Sequence, residues 1–152
     1  MTLYQVIQGI TEVAKAQLSV QTIVPNDIYR LNARPNVKYG VFAWTQEEHT
    51  IGRDINTFAF VFYYADRLTE DKGNEIEVQS AGVQTINNIL LTLEGMGIYT
   101  AEAWRVQTFN YKFADECAGA YARVRLEVPG GDGCPETWPD FSNDFSDDFN
   151  ND

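Results

Sequence analysis

One histidine, two cysteines and a run of acids are the side chains here whose chemistry could reach beyond packing. His49 follows Glu47 and Glu48 inside a polar stretch, Gln46 to Asp54. Glu-Glu-His offers oxygen and nitrogen donors. A metal site needs more ligands than that, and the sequence has no second histidine and no cysteine at ligand spacing. His49 therefore reads as a solvated loop histidine. Any Ser-His-Asp or Cys-His apparatus would have to use it, and neither Cys117 nor Cys134 lies in a nucleophile signature. Cys117, at the start of a strand-like segment, reads as a small core residue. Asp66, Glu70, Asp71, Glu75 and Glu77 form an acidic cluster that could attract a cation. Arg67 and Lys72 lie inside it, and Glu75 and Glu77 suit the positive end of a helix dipole. Pro129-Gly-Gly-Asp-Gly lacks the spacing of a phosphate-binding loop, and no helical pattern follows it. No catalytic residue, metal site or cofactor is expected, and the chain does not read as an enzyme.

The elements around these residues come from 152 residues, a length that fits one domain. With 22 acids against 11 bases the net charge is -11, the opposite of the basic face that a nucleic-acid-binding protein needs. No apolar run reaches the ~18 residues of a membrane span, no basic n-region of a signal peptide is visible at Met1 to Gln5, and the two cysteines make no disulfide framework, so they read as reduced thiols. The charge is uneven. Residues 1 to 131 carry a net of -4, and residues 132 to 152 carry seven acids with no Lys or Arg. The boundary is the Pro/Gly cluster at 129–133, so the expected organisation is a domain over 1 to 128 and a hinge plus tail over 129 to 152. The tail repeats Phe141-Ser-Asn-Asp, Phe145-Ser-Asp-Asp and Phe149-Asn-Asn-Asp. It reads as disordered in isolation. Two roles stay open: a solvated acidic tail, or a peptide whose phenylalanines dock onto a neighbouring subunit.

In the body, Leu3, Val6, Ile7, Ile10, Val13, Ala14 and Leu18 fit a helical period and predict a helix over 2 to 20, with Thr2 as its N-cap. Ile28 to Leu31 reads as a short strand and Val37 to Thr45 as a second. Gln46 to Asp54 reads as a long hairpin loop. Ile55 to Ala65 carries aromatics on both faces and reads as a central strand. Asp66 to Asn74 is a second polar connection. Ile76, Val83, Ile86, Leu90 and Leu93 form the stripe of a helix over 75 to 94, with Asn74 as cap and Gly95 and Gly97 as stops. Trp104 to Phe113 and the alternating Ala118 to Val128 predict a closing antiparallel hairpin. The fold class is α+β, an antiparallel sheet with two helices packed on one face. The sheet's other face would be aromatic and partly exposed unless something covers it.

This order of segments resembles the tail terminator and tail-completion (neck) proteins of tailed bacteriophages. Phe60-Val-Phe-Tyr-Tyr-Ala-Asp-Arg-Leu-Thr-Glu-Asp-Lys-Gly-Asn-Glu-Ile-Glu-Val-Gln-Ser resembles a stretch in structural proteins of phages and prophages of gut Bacteroidetes, crAss-like phages among them. Phe113-Ala-Asp-Glu-Cys-Ala-Gly-Ala-Tyr-Ala-Arg-Val resembles their closing hairpin. The resemblance covers residues 1 to 128 and leaves out the Phe/Asp tail. It implies a virion protein, assembled in the host bacterial cytoplasm, that forms a homo-oligomeric ring (a hexamer or larger) at the head-to-tail neck or the tail end. Its expected neighbours are portal, connector or tail-tube proteins. DNA would pass through without specific binding, and no membrane is involved. A net negative charge suits such a conduit, because it repels phosphate. The expected interface residues are Glu47, Glu48, His49 and Arg53 in the first loop, Asp66, Arg67 and Lys72 in the second, and Phe141, Phe145 and Phe149 in the tail. The alternative is a monomeric acidic module that binds a protein partner through that tail.

Overall fold

The computed structural model describes residues 1–26, 38–110 and 116–130. Helix α1 (Leu3–Lys15) begins with a capping box. The Gln5 amide donates to the Thr2 hydroxyl at 3.2 Å and the Thr2 amide donates to the Gln5 side-chain oxygen at 2.9 Å. The exchange satisfies amides that a helix start leaves without partners. Val6, Ile10, Val13 and Ala14 form its buried stripe. The helix stops short of the expected residue 20. The chain turns at Gln17–Val20, where the Val20 amide donates to the Gln17 carbonyl at 3.1 Å, and this leaves Leu18 97% exposed instead of in the stripe.

The turn delivers a strand that the sequence pattern did not announce. β1 (Thr22–Val24) runs parallel to β2 (Val41–Gln46), with Thr22 opposite Val41. Gly40 makes this junction. Its φ is +75°, its carbonyl accepts the amides of Gln21 and Thr22, and a Cβ there would lie 2.2 Å from the Ser19 carbonyl oxygen. The strand expected at Ile28 to Leu31 lies outside the described residues.

β4 (Ile55–Arg67) is central, as its aromatics require. It pairs antiparallel with β2 on one side and with β7 (Cys117–Pro129) on the other, Phe62 standing opposite both Trp44 and Ala122. β3 (Thr50–Ile51) pairs with the start of β4. β5 (Thr100–Ala101) and β6 (Arg105–Asn110) share the far side of β7. The described strands thus make one mixed sheet, antiparallel except at β1. β7 follows the expected alternation, burying Ala118, Ala120, Ala122, Val124, Leu126 and Val128.

Helix α2 (Glu75–Gly95) lies across β4 and β7. Gly82 permits the closest approach: a Cβ there would sit 3.1 Å from both Ala120 Cβ and Tyr64 Cδ1. Its buried stripe is Val78, Gly82, Thr85, Ile86, Ile89, Leu90 and Leu93. Ile76, assigned to the stripe from its spacing, is 79% exposed. The helix ends at Gly95, and Gly97 follows with φ +76°. α1 packs on α2 and meets the sheet at β1, so α2 makes most of the helix-on-sheet contact. Both helices share one core with Phe42, Trp44, Phe58, Phe60, Phe62 and Tyr64. Phe42 and Phe62 meet edge-on at 5.3 Å, Trp44 and Phe60 at 6.0 Å. Each such side chain contributes roughly 1.5–3 kcal/mol on burial. The α+β class is therefore the observed one, with two differences from the expectation: the sheet is mixed because β1 joins it in parallel, and α2 is the helix that packs on it while α1 packs chiefly on α2. No helix among the described residues is long and apolar enough to cross a membrane.

Candidate functional site

The sheet face turned away from the helices is aromatic over part of its area only, at Tyr39, Tyr63, Phe109 and Tyr121. Trp44, Phe58, Phe60, Phe62 and Tyr64 all belong to the helix-side core. The opposite face carries two kinds of residue. Toward one end, Val24, Val41, Ala43, Ala65, Phe109 and Cys117 form a small buried cluster, with Tyr63 and Tyr121 stacked beside it at 6.0 Å. Beyond them stand Arg105, Arg123 and Arg125. Arg105 is directly opposite Arg123 across the β6–β7 ladder. A cavity of about 490 Å³ lies here, lined by Ala103, Arg105, Gln107, Tyr121 and Arg123. The Tyr121 hydroxyl donates to the Gln107 side-chain oxygen on its wall. Arg123 pairs with Glu47 at 3.5 Å and Arg125 with Glu102 at 3.4 Å. These side chains are 38% to 78% exposed, so each pair contributes at most about 1 kcal/mol. In the sequence Arg123 and Arg125 are the polar half of the alternating strand, and Arg105 carries no signal of its own. Their convergence depends on the β6–β7 register.

Gln46 to Asp54 is built into the sheet instead of looping free of it. Gln46 pairs with Phe60 and Thr50 with Thr57, so Glu47, Glu48 and His49 stand against only Phe58 and Ala59. One residue too many on this strand makes a bulge. The Glu47 amide still donates to the Ala59 carbonyl at 2.9 Å. The Ala59 amide would otherwise lack a partner, and it donates to Nδ1 of His49 at 3.1 Å. Nε2 of His49 faces the Gln46 side-chain oxygen at 3.0 Å, and the ring packs edge-on against Phe58 at 5.4 Å. An Nδ1 that accepts and an Nε2 that donates define a neutral ring, and burial lowers its pKa. His49 is therefore half-buried and structural, which corrects the solvated-loop reading. The hairpin closes at Gly52–Ile55, where the Gly52 amide donates to the Ile55 carbonyl at 3.1 Å, with Arg53 and Asp54 at the tip. Ile51 and Ile55 flank that tip at 69% and 51% exposure.

The second connection holds itself by side chains. Asn74 is the N-cap residue of α2, yet its side chain does not cap the helix. Its Oδ1 accepts the Thr69 amide at 2.9 Å, and its Nδ2 donates to the Arg67 carbonyl at 3.2 Å. Asp71 accepts the Thr69 hydroxyl at 2.6 Å and the Gly73 amide at 3.1 Å, which hold its carboxyl below the usual range. Lys72 takes φ +59° and pairs with Glu116 at 3.7 Å. Arg67 stacks over the Tyr39 ring at 5.1 Å, and Asp66 accepts the Arg67 amide at 2.7 Å. Tyr64 beside it is pushed up to about 12 by burial, with the Asp66 charge adding. Among the described residues no group of three or more His, Cys, Asp or Glu stands close enough to hold a metal ion.

The two loops are not brought together. They cap opposite ends of the thirteen-residue β4, roughly 40 Å apart at strand rise. Glu47, Glu48, His49 and Arg53 lie at one end, and Asp66, Arg67 and Lys72 at the other. Phe141, Phe145 and Phe149 lie outside the described residues. The end of β7 is described, however: the Gly130 amide donates to the Asp54 carbonyl at 2.9 Å, so the chain leaves the sheet beside the Arg53–Asp54 tip. Compared with protein-family models and with curated proteins, the chain matches none.

Proposed function

We propose that this chain is a structural subunit of a tailed-phage virion, forming a ring in the neck or at the tail end that conducts DNA and docks onto adjacent components. The observation that supports this most is the placement of the two loops at opposite ends of one rigid strand pair. A subunit in an axial stack needs a stiff body and a docking element at each end. β4 and β7, paired over thirteen residues, supply the first. The hairpin tip with exposed Ile51 and Ile55, and the Arg67–Asn74 loop, supply the second. Among the described residues β1 and β6 each pair on one side only, leaving backbone groups for lateral contacts between copies. The net charge of -11 keeps DNA moving through instead of adhering. Electron microscopy of the purified full chain tests the reading. Closed rings with an open centre support it, and a uniform field of single-subunit particles sinks it.

A further inference from the structure

The geometry points to Arg105, Arg123 and Arg125 as the docking surface for the chain's own C-terminal segment, residues 132 to 152. The inference goes beyond the ring reading and does not depend on it, since a monomer could carry it equally.

Three observations converge. The first is a like-charge pair. Arg105 and Arg123 stand directly opposite each other on adjacent strands, an arrangement that destabilises a sheet unless an anion relieves it. Arg125 lies two residues further along the same face of β7. Glu47 and Glu102 engage Arg123 and Arg125 only through exposed, exchangeable pairs, and Arg105 has no ion pair among the described residues. The second is shape and chemistry. The cavity beside these arginines is walled by Tyr121 and Gln107, so it offers guanidinium planes and an aromatic ring together. A peptide that alternates carboxylates with aromatic rings matches both, through charge-assisted hydrogen bonds and cation–π contacts. Residues 132 to 152 carry seven acids, no Lys or Arg, and Phe141, Phe145 and Phe149 at four-residue spacing.

The third is reach, and it selects the same chain over a neighbour. The segment leaves the sheet at Gly130, the end of the strand that bears Arg123 and Arg125. Five residues of strand put Arg125 about 17 Å from that exit. Ten residues lie between Gly130 and Phe141, and a coil of that length would have a root-mean-square span of roughly 16–19 Å. A linker whose span matches the distance between its sites gives the highest effective concentration for the intramolecular contact.

The test is nuclear magnetic resonance on the isotope-labelled full chain, following the amides of Asp140 to Asp152 together with those of Arg105 and Arg123. At low salt both sets should occupy docked positions. At about 1 M salt, where the Debye length falls to about 3 Å, both should move together to released positions. The R105E/R123E variant should show the released tail positions even at low salt. F141A/F145A/F149A, which changes nothing in the described fold, should leave the arginine amides at their released positions. Unchanged shifts in every arm would overturn the proposal. So would docked shifts that fade on dilution, because those would assign the tail to a second copy.

Discussion

The bulged hairpin at Gln46–Asp54 and the Arg67–Asn74 loop close the two ends of the same strand by different means. The hairpin borrows the sheet. Its backbone continues the β2 edge, and an imidazole takes the place of the missing carbonyl at Ala59. Its shape depends on Phe58 and Phe60, which are part of the helix-side core. The Arg67–Asn74 loop is held from within, by Asn74, Thr69 and Asp71 bonding to their own neighbours. One end of the body is thus shaped by the core aromatics, and the other is shaped by its own side chains and anchored at Leu68, which is buried against Val78 and Ala118 and donates its amide to the Glu116 carbonyl at 2.9 Å.

This contrast can be broken most sharply at His49. His49→Ala leaves the Ala59 amide without an acceptor and removes a ring from Phe58. The expected loss is about 2–3 kcal/mol, read from the urea unfolding midpoint. Loss below a few tenths would mean that the bulge does not need the imidazole. Asn74→Ala removes three hydrogen bonds that organise the second loop, two from Thr69 and one to Arg67, and should lower stability by about 1–2 kcal/mol. Its effect on hydrogen exchange should stay within residues 68–75. Exchange spreading into β4 would show that this end is coupled to the core as well.

The smallest effect is a pH dependence confined to the hairpin. Burial lowers the His49 pKa in the folded chain, so the unfolded chain takes up a proton first as pH falls. The His49 contribution is therefore complete above the unfolded value of about 6.5 and declines from there toward the lower folded value. Urea midpoints of the native chain and His49→Ala should converge as pH drops through that window. A constant gap between them would contradict the neutral, accepting Nδ1.

Much of the fold was legible because the periodicities were long. The aromatic run at Ile55 to Ala65 and the alternation of β7 each repeat one physical signal over several residues, and Thr2 was legible as an N-cap from its residue type. β1, β3 and β5 were not legible, since two- or three-residue strands take their identity from the strand beside them. Ile76 and Leu18 fit the helical period and still face solvent, because the spacing gives the stripe but not where the helix ends or how it rolls on the sheet. The site was harder. Glu47 to His49 looked like a polar loop because a bulge has the composition of a loop. Asn74 looked like a cap, and its side chain found the Thr69 amide instead. The arginine face depends on a cross-strand register, which no local pattern states.

The most direct measurement of the central claim is the mass of the full chain in solution, by light scattering coupled to size exclusion, alongside Ile51→Ser/Ile55→Ser. A ring-forming subunit should give a discrete multiple of the subunit mass for the native chain. The variant should keep the subunit fold but stack less between rings. A single-subunit mass for both, at every concentration tried, would contradict it.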